Sequence, residues 1–339
     1  MSPSLQDSAS SLVQAPDREI SDLTSSLRPF YAKFLADLDL PVQPETFESD
    51  VLMKAVLEFA ATTGVPHHPK SRSYGALMLG NSYADNCLPY HDLEVKVFVA
   101  ICTWLAILCD DAPEAGTVPA LESFQQLWLE GKEQPTIILQ AFANQLRLSY
   151  KLYHPLVANL IVSSSLNFVT AIAIGDRQGI QRKLVHPSRG GDGFCWYMRA
   201  RDGDGEAYAW LGYPRSQFPN LDTPIEAMED MSRCFDLVND VLSFYKEVAN
   251  GETDTYIHKK AAYQKCGLYA ALEKTAQDVI GCTRRIRAVL KGKASLETTV
   301  EARIGQQMAG PVVCQDARQD APADSGRFAA TSRNVHFFV

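Results

Sequence analysis

The chain has no Cys-x-x-Cys pair, no excess of basic charge and no zinc-spaced histidines, and each absence removes a class of function. Its eight cysteines are scattered over 339 residues. That distribution argues against a disulfide frame and for reduced thiols in an intracellular protein, with Cys102, Cys109 and Cys234 inside apolar stretches. Lys and Arg number 32 against 40 Asp and Glu, a net charge of −8; nucleic-acid partners usually call for a basic face, so none is expected. The seven histidines form no metal-finger spacing, and His67-His68 lies between Pro66 and Pro69 as a loop. The serine-rich start, with Asp7, Asp17, Arg18 and Glu19, has no apolar core of a signal peptide, so the expectation is a cytoplasmic protein without stable membrane insertion.

Alternating strand patterns are also scarce, and no internal repeat is visible. What the sequence has instead is helical periodicity. Segments of that kind run from Thr46 to Thr63, Asp92 to Asp110, Pro119 to Glu130, Thr136 to Tyr150, His154 to Ala173, Ile225 to Val248 and Leu268 to Lys291. Ser71 to Pro89, with Gly75 and Gly80, reads as irregular, and Gly175 to Gly193 as a glycine-rich basic connection. A chain 46% hydrophobic can bury a large core, and the expectation is an all-α fold with one helical domain over 21–300. Residues 1–20 read as a flexible N-terminal segment. Residues 301–339 read as an atypical, disordered tail, since Ala309 to Ser325 lacks helical apolar spacing.

Two clusters carry chemistry. Asn239, Ser243 and Glu247 are spaced four apart, so on a helix they share one face, drifting about 40° and rising about 6 Å per step. An amide oxygen, a hydroxyl and a carboxylate suit Mg²⁺ or Mn²⁺, which complete their shells with water or phosphate oxygens. A solvated polar face would give the same spacing. Against it stand Phe235, Leu237, Val238, Val241, Leu242, Phe244 and Tyr245, which make the helix apolar nearly all round and therefore buried. The second cluster follows the apolar run Phe98 to Cys109, too short to span a bilayer and read as a core helix. It ends in Asp110-Asp111-Ala112-Pro113-Glu114, and Pro113 stops the helix near Asp111. Carboxylates at a helix C-terminus meet an unfavourable dipole that bound cations would relieve, although an exposed acidic turn would look the same.

Together, the aspartate-rich helix end and the later Asn-Asp-x-x-Ser-x-x-x-Glu resemble the class I terpene synthases, and more narrowly the fungal trichodiene synthase branch with its longiborneol-type cyclases. The resemblance runs from about residue 20 to about residue 290. It implies an all-α isoprenoid synthase bundle around an apolar cavity and three Mg²⁺ ions, held by Asp110, Asp111 and Glu114 on one side and by Asn239, Ser243 and Glu247 on the other. Lys246 would contact the substrate diphosphate. Arg199 stands where the family has a diphosphate-sensing arginine, a task suited to its planar fork; an ordinary surface arginine beside Arg201 is the alternative. Gly203 and Gly205 would permit the family's kinked helix break. Thr103, Ala106 and Ile107 before Asp110, and Ser232 and Phe235 before Asn239, would line the cavity. Trp104, Phe168, Tyr208, Trp210 and Tyr245 are further candidate aromatic walls, against ordinary core packing.

The implied activity is Mg²⁺-dependent cyclisation of farnesyl diphosphate, with geranyl diphosphate as the alternative substrate and a homodimer as an assembly the resemblance allows. Chain elongation is disfavoured, because the prenyltransferases carry aspartate-rich motifs on both helices and here Asn239 and Ser243 occupy one. One departure stands out. The branch has an Arg-Tyr pair near its last helix, and no Arg-Tyr follows Glu247; Arg318 falls near the right distance among Asp316, Ala317, Gln319 and Asp320. A catalytically silent homologue that only binds isoprenoid diphosphates is therefore the rival reading.

Overall fold

The computed structural model describes residues 17–40, 49–113, 115–180, 187–188, 190–191, 193–222 and 224–305, and among them there is no strand. The helices are α1 (Asp17–Leu38), α2 (Asp50–Thr62), α3 (Arg72–Cys87), α4 (Leu93–Asp110), α5 (Val118–Glu122), α6 (Phe124–Leu129), α7 (Ile137–Leu152), α8 (Pro155–Gly175), α9 (Phe194–Asp202), α10 (Gly205–Leu211), α11 (Met228–Ala249), α12 (Tyr256–Gln264) and α13 (Leu268–Leu290). Residues 294–305 form a further helix, α14. Described helix is present on both sides of the expected bounds, from Asp17 and on to residue 305; 306–339, with the rest of the expected tail and Arg318, lies outside the described residues.

Helix α4 is the axis of the bundle. From Phe98 to Asp110 every residue is buried, as expected of a helix apolar on all sides. It packs on α3, α7 and α2, while α8 packs on α7, α9 and α10, and α11 packs on α10 and α13. The two motif helices are therefore connected through α7, α8 and α10. Local signals set the helix starts: the Ser49 hydroxyl accepts from Leu52 N at 3.2 Å, Ser71 from Tyr74 N at 3.1 Å and Thr136 from Leu139 N at 3.2 Å, each satisfying an orphan first-turn amide. Asp85 ties three helices together, accepting from Ser49 N at 2.8 Å and pairing with Lys96 at 3.1 Å.

Two expectations are corrected. Ser71 to Pro89 is not irregular but holds α3, because Gly80 serves packing rather than turning: a Cβ there would collide with the Ala100 carbonyl of α4. Pro119 to Glu130 is two short helices. Ser123 caps both, its hydroxyl donating back to the Ala120 carbonyl at 3.2 Å, a bond that competes with continuation of the helix. Seven cysteines fall among the described residues and all are free thiols. Helix α8 is long and apolar enough to cross a membrane by length and composition, and 67% of its most apolar window is buried in the fold.

Candidate active site

Asp110 is the last residue of α4 and is buried, and its Oδ2 has no hydrogen-bond partner. Burial, followed by the charges of Asp111 and Asp202, holds its carboxyl well above the usual range against the opposing pull of Arg199 and Arg72. Asp111 caps the helix and pairs with Arg72 of α3. Glu114 lies outside the described residues.

On α11 the predicted face exists: Asn239, Ser243 and Glu247 are all buried. Asn239 Oδ1 has no hydrogen-bond partner. Ser243 Oγ donates to Glu247 Oε1. Burial pushes the Glu247 carboxyl up to about 7 despite that bond. Lys246 is half-buried beside it, and the Tyr31 hydroxyl of α1 donates to the Val241 carbonyl between Asn239 and Ser243 at 3.0 Å.

Arg199 is bonded to the second motif helix and acts on Asp110 of the first through its charge. It sits in the last turn of α9, only 4% exposed, so the surface alternative is removed. Its Nε donates to both oxygens of Asp240 at 3.0 and 2.9 Å and its Nη2 to the Asp236 carbonyl at 2.9 Å. Its Nη1 reaches Asp202 at 3.4 Å and lies 3.6 Å from the Asp236 carboxylate. These acids raise the guanidinium pKa although burial alone would lower it. The spacing signal for them was present, since Asp236 and Asp240 are four apart and flank Asn239, but their partner could not be read from it. Just beyond, Asp204 takes a left-handed φ of 52° between Gly203 and Gly205. This is the break between α9 and α10. Its carboxylate accepts from Ser164 at 2.7 Å and Ser165 at 3.1 Å, and burial pushes it up to about 7.

The residues expected to line the cavity are buried in the core. Ile107 and Thr103 are buried one and two turns before Asp110 on α4, and the Thr103 hydroxyl accepts from Tyr208 of α10 at 3.0 Å. The Phe235 ring faces the guanidinium of Arg303, 4.6 Å away. Arg303 had no sequence signal: it is buried on α14 and donates to the carbonyls of Tyr208 and Ala209.

Among the described residues no three His, Cys, Asp or Glu side chains converge into a ready metal cage. The candidate donors of the two motif helices are oxygens of mixed type, and two of them, Asp110 Oδ2 and Asn239 Oδ1, are buried without a partner. Such a set fits a hard divalent cation that keeps several water or phosphate ligands.

Comparison with known proteins identifies the family and the fold. The family model of trichodiene synthase (TRI5) matches residues 82–318. The chain belongs to the trichodiene synthase family. It is 57% identical over 275 residues to longiborneol synthase CLM1 of Gibberella zeae, covering 81% of each chain. It is 33% identical over 267 residues to terpene synthase BipA of Cochliobolus sativus, covering 78% of this chain and 80% of the relative. The family makes the chain a terpene cyclase. Solved structures support the fold: linalool/nerolidol synthase from Streptomyces clavuligerus superposes with a TM-score of 0.59 at 11% identity, over 79% of this chain and 98% of that one. A point variant of cucumene synthase superposes with a TM-score of 0.56 at 14% identity, over 82% of this chain and 99% of that one. Both match as the all-α class I terpene synthase fold that the two sequence motifs imply.

Proposed function

We propose that this trichodiene synthase family member is a Mg²⁺-dependent sesquiterpene cyclase that ionises farnesyl diphosphate, closes the resulting cation and releases diphosphate. The observation that carries the reading is that each motif helix holds a buried oxygen without a protein partner, Asp110 Oδ2 on α4 and Asn239 Oδ1 on α11. The 57% identity to a longiborneol synthase supports the size of the substrate.

Asp110, Asn239, Ser243 and Glu247, with Asp111 and Glu114, are the residues that would hold the three ions the family reading calls for. Bound divalent cations supply positive charge to the departing diphosphate. The protein's own part begins at Arg199 and Lys246, whose N–H groups would bind and orient that diphosphate. As the allylic C–O bond breaks, its electron pair leaves with the diphosphate oxygen, and these donors would stabilise the charge that builds there. Thr103, Ile107 and Phe235 would hold the hydrocarbon, with water excluded until rings form and the final cation loses a proton or captures water. The same reading makes the chain a cytoplasmic enzyme without nucleic-acid partners or stable membrane insertion, assembled as a homodimer.

A second reading has its own observation: no Arg-Tyr pair follows Glu247, which favours a silent homologue that only binds isoprenoid diphosphates. Incubation of the purified chain with Mg²⁺ and geranyl, farnesyl or geranylgeranyl diphosphate, followed by gas chromatography and mass spectrometry, separates the two. A cyclic C15 product that disappears with Glu247→Ala is expected. Cyclic C10 product alone shifts the substrate to geranyl diphosphate, and no product from folded protein sinks the cyclase reading.

A further inference from the structure

Arg303 carries a charge that no described acid neutralises. It is 1% exposed on α14, and among the described residues no carboxylate pairs with it; its donors reach the neutral carbonyls of Tyr208 and Ala209, and its Nε has no acceptor. An isolated cation is among the costlier groups a core can hold. Two carbonyls could be completed by an uncharged donor at lower cost. Beside the guanidinium is a cavity of about 10 Å³ walled by Met231, Cys234, Ile286, Val300 and Ile304. A space of that size admits one water at most, so it leaves the charge without a counterion.

That charge stands behind residues the reaction would use. The guanidinium lies 4.6 Å from the centre of the Phe235 ring, and a ring face occupied by one cation is not open to another. Phe235 is one turn before Asn239 on α11. Tyr208, whose carbonyl Arg303 takes, donates its hydroxyl to Thr103 of α4. The effect on positive charge nearby is visible at His91, where burial does most to disfavour the imidazolium and the charge of Arg303 adds to it.

Ring closure moves positive charge along the hydrocarbon. The distal double bond gives its electron pair to the allylic carbon, and its other carbon is left electron-poor. In a dry cavity a fixed charge of the same sign is felt over several ångströms. We propose that Arg303 is a specificity-determining residue: its charge, set behind Phe235 without an acid partner, makes the α14 side of the cavity unfavourable for a carbocation and keeps positive charge toward the diphosphate end. The proposal rests on the prenyl diphosphate reading above.

The test uses two probes on the full chain, each with Mg²⁺ and inorganic diphosphate and read as a Kd by calorimetry. One is a farnesyl-length chain with a protonated tertiary amine in place of the distal cationic carbon; the other is its neutral all-carbon isostere. Arg303→Gln keeps a donor for one carbonyl and removes the charge. It should tighten the amine about 10-fold relative to the isostere. Arg303→Lys keeps the charge without the planar fork and should leave that ratio within about 2-fold of the unaltered chain. Arg303→Met is the charge-free variant to use if the glutamine variant does not fold, and a ratio of Kd values does not depend on how much of the protein is folded. An unchanged ratio in the charge-free variant, or the same change with lysine as with glutamine, overturns the proposal and leaves Arg303 as a fastener of α10. No binding of diphosphate by the unaltered chain overturns instead the reading beneath it.

Discussion

Arg199 balances one buried positive charge against Asp240, Asp202 and Asp236, and its planar fork is what lets it face them together. Lysine is a point charge and cannot. Arg199→Lys should lower kcat with farnesyl diphosphate about 100-fold, the loss typical of removing one preorganised donor from developing charge; single-turnover product formation measures it. Asp204 gives a pH signature. Its folded carboxyl, at about 7, lies above the unfolded value of about 3.9, so the native state keeps a proton that the unfolded state has lost. The stability this group contributes is therefore full below about pH 4 and is lost as pH rises toward 7. Asp204→Asn does not titrate. Its urea-unfolding free energy should match the unaltered chain near pH 4 and exceed it by on the order of 3–4 kcal/mol at pH 8. A constant difference across that range would exclude Asp204 as the titrating group.

At the level of elements, α3 shows how one residue type can have opposite effects in one helix. Gly75 is exposed, with nothing within 4 Å of where a Cβ would stand, whereas at Gly80 a Cβ meets the backbone of α4. Gly75→Ala should stabilise the chain by about 0.5–1 kcal/mol through helix propensity. Gly80→Ala should destabilise it by about 1–3 kcal/mol, as overpacking does. Chemical denaturation of the two variants side by side tests the assignment. The glycines made this segment look irregular in the sequence because propensity is a local quantity, whereas the value of Gly80 depends on Ala100 of a different helix. Ser123 is the converse case: its back-bond to Ala120 is local, yet an apolar period that continued through it concealed the split into α5 and α6.

Across the whole molecule, side chains distant in sequence converge on the C-terminal end of α10. Tyr153 donates to the Leu211 carbonyl at 3.0 Å, His91 Nε2 contacts the Gly212 carbonyl at 2.9 Å, and Arg303 takes the Tyr208 and Ala209 carbonyls. Burial pushes His91 down to about 4, so its neutral ring is the donor to Gly212. A Cβ on Gly212 would collide with Arg303. Helix ends leave their last carbonyls unpaired, and here the surrounding helices complete them. Arg303→Met keeps most of the apolar stem but strands two buried carbonyls, so it should cost about 2–4 kcal/mol in unfolding free energy, read by urea denaturation. A loss under about 0.5 kcal/mol, the range of ordinary surface substitutions, would show that α14 does not fasten α10.

The helical class, the buried run of α4 ending at Asp110, and the shared face of Asn239, Ser243 and Glu247 were all legible in the chain before any coordinates, because a 3.6-residue period relates only near neighbours. The acids that hold Arg199 were not, though Asp240 stands only 41 residues away. Nor were the carbonyls that Arg303 takes, 94 and 95 residues distant, or the space that Gly203 and Gly205 leave for Asp236. Those pairings depend on how each helix is rotated and how closely its neighbour approaches, and that is settled only when the whole core packs.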